Sequence, residues 1–268
     1  MPADHTSNTQ RDEAPDGVAI RLRGISKSFG SKRVLVDLDL DVRAGEALII
    51  LGGSGTGKSV LLKHMIGLMR PDAGTVEVEG VDLGTMSDRE LTPFRSRFGM
   101  TFQEGALFDS MSVRDNIAFP LRRLTRRSAS EVRERVDECL RLVRLEGAGS
   151  KMPAELSGGM RRRVGFARAI ALEPRILLFD EPTTGLDPVL TATIDELILD
   201  LQEDLGSTSV IITHDIQSAM RVGDRIAMLH GGKIIASGTP EEFQSLPDPR
   251  VQQFLAGEAH GPLNEAAH

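Results

Sequence analysis

The sequence predicts an α/β fold whose largely parallel sheet is covered by helices on both faces, and three observations carry that expectation. Strand-like and helix-like stretches alternate along most of the chain. A glycine-rich segment, residues 52–59, lies between a continuously apolar run and an amphipathic stretch, the strand-loop-helix setting in which a parallel sheet presents a phosphate cradle. An Arg-rich region of helical texture, roughly residues 91–149, adds a helical lobe.

Residues 18–22 alternate apolar and polar side chains, and residues 34–42 do so again, as half-buried strands must. Residues 47–51 are apolar throughout, the pattern of a strand buried on both faces. From Ser59 onward Leu61, Leu62, Met65, Ile66 and Met69 recur at helical spacing, and Arg70, Pro71, Asp72, Ala73 and Gly74 stop the helix. Residues 75–81 alternate again as half of a hairpin. In the lobe Val132, Val136, Cys139, Leu140 and Val143 fall on one helical face. After Gly158 and Gly159 a helix runs toward Glu173 and Pro174, and residues 175–179 form a buried strand. A helix (189–205), a strand (209–213), a helix (216–222) and a strand (225–229) complete the alternation.

Of the 268 residues, 40% are hydrophobic and 26% charged, a globular composition that excludes a disordered or collagen-like chain. The net charge of −7 argues against a protein that wraps nucleic acid. Cys139, the single cysteine, permits neither an internal disulfide nor a Cys-based zinc site, and it reads as a buried thiol. The longest apolar runs fall far short of the roughly 18 residues a membrane span requires. Residues 1–17 read as a disordered leader with no signal-peptide character, and residues 255–268 as a flexible tail. The pairs Arg122-Arg123 and Arg126-Arg127, and the run from Arg161 to Arg163, read as a solvated helix face with partner ion pairs.

Gly52, Gly53, Ser54, Gly55, Thr56, Gly57, Lys58 and Ser59 fit G-x-x-x-x-G-K-[ST]. The glycines let backbone N–H groups converge on phosphate oxygens, Lys58 is expected to reach the β and γ phosphates, and the Ser59 hydroxyl to ligate Mg²⁺. Four apolar residues, Ile176, Leu177, Leu178 and Phe179, end in Asp180 and Glu181, so two carboxylates stand at the carboxyl edge of a central strand. Asp180 is expected to hold Mg²⁺, and Glu181 to polarise the water that attacks the γ phosphate. Leu156, Ser157, Gly158, Gly159 and Met160 open an Arg-rich helix and offer a second anion-binding N-terminus. Two phosphate cradles with one catalytic edge suggest that each cradle is completed by a second copy of the chain.

These residues resemble the ATPase subunit of ABC transporters, whose Leu-Ser-Gly-Gly-Gln signature matches residues 156–160 with Met160 in place of Gln. The resemblance spans residues 18–254 and implies a P-loop NTPase core, an N-terminal antiparallel β subdomain and an inserted α-helical subdomain at about 104–170. It implies that Phe29 stacks on adenine and that Gln103 touches Mg²⁺ and the attacking water while facing a transmembrane partner. Asp187 matches the D-loop, and His214 the histidine that contacts the γ phosphate. Gly53 and Val60 stand where Pro and Thr are expected, altering loop rigidity and one phosphate contact. The implied mechanism sandwiches two ATP molecules in a head-to-tail homodimer, each between one phosphate loop and the other copy's Ser157, Gly158 and Gly159.

Residues 102–108, residues 115–122, Met160 and residues 247–255 resemble more narrowly the ATPase of Mla and Mce-type phospholipid transporters. That implies an inner-membrane permease, an Mce-domain protein, in some systems a STAS-domain partner, and a peripheral place on the cytoplasmic face of the inner membrane. An importer of small polar solutes is the alternative within transport; such importers often carry a C-terminal regulatory domain, for which the short tail is expected to leave no room. A non-transport ABC ATPase acting on DNA or ribosomes predicts a long coiled-coil insertion or tandem ATPase domains, and one set of motifs in 268 residues is expected to supply neither. Lys58, Asp180, Glu181 and His214 together argue against a module that binds nucleotide without turning over.

Overall fold

The computed structural model describes residues 16–102 and 105–265. Strands β1 (Val18–Phe29) and β2 (Lys32–Arg43) form a long antiparallel hairpin. Strand β1 extends well past the alternating segment at 18–22, because β-bulges shift its register and break the strict period of two, whereas β2 nearly coincides with the segment at 34–42. With β4 (Ala73–Val78) and β5 (Val81–Asp82) they make a four-stranded sheet ordered β2-β1-β4-β5.

The second sheet contains β3 (Ala47–Leu51), β6 (Phe98–Thr101), β7 (Ile176–Asp180), β8 (Thr208–Thr213), β9 (Arg225–His230) and β10 (Lys233–Gly238) in the order β10-β9-β3-β8-β7-β6. It is parallel from β9 to β6, with β10 an antiparallel edge. The apolar run of β3 divides between its two faces: Leu48 and Ile50 join a core with Ile20 and Leu22 of the first sheet, while Ala47, Ile49 and Leu51 join a core beneath the helices. Burial on both sides is why this strand has no polar alternation.

Helix α1 (Lys58–Met65) follows β3 after the glycine-rich loop at 52–57. It stops short of the apolar spacing that continues to Met69, because Gly67 turns the chain with a φ of 65°. Helix α2 (Asp88–Phe94) leads into β6, a strand with no alternating signature of its own. Gly99 is required there: a Cβ would lie 2.6 Å from the Ala169 carbonyl oxygen.

Helices α3 (Val113–Leu124) and α4 (Ala129–Leu142) form the lobe, packed on α5 (Gly158–Ala169). Val132, Val136, Cys139, Leu140 and Val143 are all buried, as their spacing requires. Arg135 donates to the carbonyls of Ile170 and Ala171 at 2.7 and 3.1 Å, satisfying the end of α5. Arg122 pairs with Asp115 and Arg127 with Glu173, so part of the arginine surface is engaged in ion pairs.

Helices α6 (Pro188–Leu205) and α7 (Ile216–Val222) cover the same face of the sheet. Helices α8 (Pro240–Ser245), α9 (Pro249–Ala256) and α10 (Pro262–Glu265) follow. The expected tail differs in place: Leu255 and Ala256 complete α9, and the Leu263 N–H donates to Gln253 at 2.8 Å, folding the chain back on that helix. Of the expected leader, residues 1–15 lie outside the described residues. Among the described residues no helix is long and apolar enough to cross a membrane.

Candidate functional site

The strand-loop-helix unit builds the site. Gly52 passes so close to β9 that a Cβ would sit 2.5 Å from the Leu229 carbonyl oxygen, and Gly57 caps α1 with a φ of 105° against Val34. These two glycines bring the loop down onto the carboxyl edge of the sheet. The Leu61 N–H makes the first helical bond, to Gly57 O at 2.9 Å, so the amides of Lys58, Ser59 and Val60 precede the first turn and have no partner within the helix. They form a positive helix end suited to an anion.

Lys58 is buried, and its ammonium donates to the carbonyls of Gly52 and Gly53 at 2.7 and 2.9 Å. It also approaches Glu181 Oε1 at 3.2 Å. The other oxygen of Glu181 accepts from the Thr184 hydroxyl at 2.9 Å and lies 2.7 Å from His214 Nδ1. A carboxylate only accepts, so that ring nitrogen carries the proton. Glu181 is therefore oriented by three side chains.

The Ser59 hydroxyl donates to Asp180 Oδ1 at 3.2 Å across the gap between α1 and β7. Burial pushes the Asp180 carboxyl above its ordinary range, the Ser59 bond opposes that shift, and the Glu181 charge adds to it. Among the described residues no group of three or more His, Cys, Asp or Glu is placed to hold a metal ion. Ser59 and Asp180 thus supply two oxygens, which fits Mg²⁺, an ion that takes one or two protein ligands and fills its remaining positions with phosphates and water.

Two cavities meet at Glu181. One, of about 460 Å³, runs from Phe29, Lys32 and Val34 on the first hairpin past the phosphate loop to Asp180 and Glu181. Phe29 is half exposed at the hairpin tip and lines this cavity, with the Lys27 ammonium 5.9 Å from its ring centroid. Ser54, Gly55 and Val60 also line this cavity, and Thr56 fastens the loop by donating to Gly53 O at 2.9 Å. The other, of about 400 Å³, is bounded by Gly53, Ser54, Glu181, Thr184, His214 and Phe254.

Ser157 caps α5, its hydroxyl accepting from Met160 N at 3.3 Å, and Gly158 has open space where a side chain would stand. Ser157, Gly158 and Gly159 line neither cavity within their own chain. Met160 packs its side chain against the core. Asp187 caps α6, accepting from the amides of Val189 and Leu190 at 2.9 and 3.0 Å. Gln103 lies outside the described residues. Sequence reasoning did not single out Thr184, Lys32, Val34 or Phe254. Thr184 follows Glu181 by three residues, a spacing that could have marked it, whereas Phe254 reaches the cavity only through the docking of α9.

The family described as ABC transporter matches residues 35–184. The chain is 47% identical over 249 residues to the "Probable ribonucleotide transport ATP-binding protein mkl" of Mycobacterium leprae, covering 93% of this chain and 72% of that protein. It is 41% identical over 244 residues to the "Intermembrane phospholipid transport system ATP-binding protein MlaF" of Haemophilus influenzae, covering 91% and 92%. A solved dimeric, post-hydrolysis ATP-binding cassette bound to ADP and Pi superposes with a TM-score of 0.76 at 34% identity, covering 82% of this chain and 98% of that one.

Proposed function

This chain belongs to the ABC transporter family as an ATP-binding, ATP-hydrolysing subunit, and from that premise we propose that it powers phospholipid transport across a bacterial envelope through an inner-membrane permease. The observation that carries the lipid assignment is the match to the phospholipid-transport relative over more than nine-tenths of both chains. The relative named for ribonucleotide transport favours a second reading, uptake of a phosphorylated polar solute, but this chain spans 72% of that protein's length.

In the proposed cycle Phe29 stacks on adenine, and the loop residues Gly52, Gly53, Ser54, Gly55, Thr56 and Gly57 wrap the phosphates. Lys58 exchanges its carbonyl partners for β and γ phosphate oxygens, a charge-assisted contact stronger than the ones it leaves. Ser59 and Asp180 would hold Mg²⁺ together with Gln103, with Val60 closing the cradle. When bound there, the ion would offset charge on the phosphate oxygens. Glu181 accepts a proton from the attacking water, held in line by Lys58, Thr184 and His214. His214 contacts the γ phosphate.

Ser157, Gly158 and Gly159 of a second copy close over the nucleotide, with Asp187 at the seam, in the two-fold arrangement usual for homodimers. The ATPase domain comprises residues 18–254 with its helical subdomain at about 104–170, preceded by the leader, while the end of α9 and α10 carry the chain on past residue 254. An Mce-domain protein and a STAS-domain protein complete the complex, which holds this chain peripherally at the cytoplasmic face.

The test is purification of the tagged chain from gently solubilised membranes, with co-purifying proteins and lipids identified by mass spectrometry. A permease with an Mce-domain protein and bound phospholipid is the expected result. A permease recovered with a polar-solute binding protein would move the assignment to the second reading, and recovery with ribosomes or DNA would overturn both.

A further inference from the structure

An acid in the buried stripe of α6 has a role in none of the motifs. Asp195 is 1% exposed and lies among Ile194, Leu197 and Ile198. Its Oδ2 accepts from the Ser218 hydroxyl at 3.0 Å and from Arg221 Nη1 at 2.6 Å, both on α7. Replacing a buried ion pair by apolar side chains is often neutral or stabilising, so such a pair is poor evidence of stability, and its best-attested use is fixing register.

The register in question is that of two helices that each begin at a functional residue. Helix α6 is capped by Asp187, and Asp195 lies eight residues on, about 12 Å along the axis. Helix α7 is capped by Asp215, next to His214, and Ser218 lies about one turn further. Ser218 is held at both ends, its amide by Asp215 Oδ1 at 3.2 Å and its hydroxyl by Asp195. At the other end of the same turn His214 touches Glu181.

We infer that Asp195 is a positioning residue: by gripping Ser218 and Arg221 it locks the helix that starts at Asp187 to the helix that starts beside His214. A displacement of Asp187, at the seam with a second copy, is then passed to His214 as a rigid-body movement of two joined helices. This rests on the ATPase reading of the site.

Two variants of the full-length chain separate grip from stability. Asp195→Asn keeps an amide oxygen that accepts from both donors and is expected to hold kcat within about threefold. Asp195→Leu fills the space with carbon, and is expected to stay folded while kcat falls about ten- to a hundredfold. KM for ATP should change by less than about twofold, because Phe29, Lys58 and Ser59 are untouched.

A second readout needs no turnover. In the wild type a non-hydrolysable ATP analogue should slow hydrogen exchange in both 188–205 and 216–222, and in Asp195→Leu only in 188–205. A folded Asp195→Leu chain with wild-type kcat and joint protection of both helices overturns the inference, as does a KM that rises in step with the loss of kcat. If Asp195→Leu does not fold, Ser218→Ala combined with Arg221→Leu removes the same grip from α7, and unchanged kcat there overturns it equally. An inactive wild-type chain counts against the ATPase reading, and the exchange experiment then decides the lock alone.

Discussion

Glu181 carries its carboxylate on a backbone with a φ of 51°, a region that residues with a Cβ adopt at a cost of about 1–3 kcal/mol. The conformation is held by its amide, which donates to Ile212 O at 3.0 Å, and by the three side chains on its carboxylate. That cost is met where it aims an acceptor between two cavities. Lys58 is the other residue whose surroundings define its task, since its ammonium is buried against two carbonyls and Glu181. Lys58→Ala is expected to weaken ATP binding about ten- to a hundredfold, the loss of a charged hydrogen bond. Calorimetric affinity equal to the wild type would contradict the phosphate cradle.

Helix ends supply most of the polar apparatus among the elements. Ser157, Asp187 and Asp215 each cap a helix with a side chain, and Gly57 caps α1 with its backbone alone, which leaves that N-terminus open to a ligand. The lobe is set by an apolar helix face. In it the Cys139 thiol is fully buried, and burial pushes its pKa up to about 11 from an ordinary 9.0. A thiol whose proton is held more tightly in the folded state leaves stability intact below about pH 9, then erodes it as pH rises toward 11. Thiolate absorbance is expected to appear near pH 11 in the native chain and near 9 once it is unfolded. The Cys139→Ala chain should lose less stability across that interval in denaturant titrations. A native thiolate signal near pH 9 would show that the lobe does not seal the sulfur.

At the scale of the molecule, the site is assembled from distant parts of the chain. The hairpin carries Phe29, the start of α1 carries Lys58 and Ser59, and the ends of β7 and β8 deliver Asp180, Glu181 and His214. Ser157, Gly158 and Gly159 remain outside both cavities, and the proposed closure by a second copy is what would bring them to the nucleotide. Glu181→Gln removes the proposed proton acceptor but keeps a polar group of the same shape beside Lys58. Steady-state hydrolysis is expected to fall by about a hundredfold or more. ATP binding should persist, and the ATP-loaded variant should elute as a dimer by size-exclusion chromatography with light scattering. Near-normal turnover would sink the role given to Glu181.

Much of this was legible from local pattern. The apolar run at 47–51 is β3, residues 216–222 are α7, and the stripe from Val132 to Val143 is the buried face of the lobe, because period and burial are properties of neighbouring residues. The phosphate loop was legible too, since its glycines, Lys58 and Ser59 act within one turn of chain. What sequence could not supply depends on approach between distant segments. Strand β6 is too short to show alternation and exists because Gly99 lets it lie against the end of α5. Asp195 looked like any acid on a helix until α7 brought Ser218 and Arg221 to it. Phe254 lines the cavity beside Glu181 and His214 only because α9 docks there. The sequence by itself determined the elements and the chemistry carried on single loops, through short-range sterics and periodicity. Tertiary structure alone decided which side chains from separate elements share a cavity, because that follows from packing two cores on the two faces of one sheet.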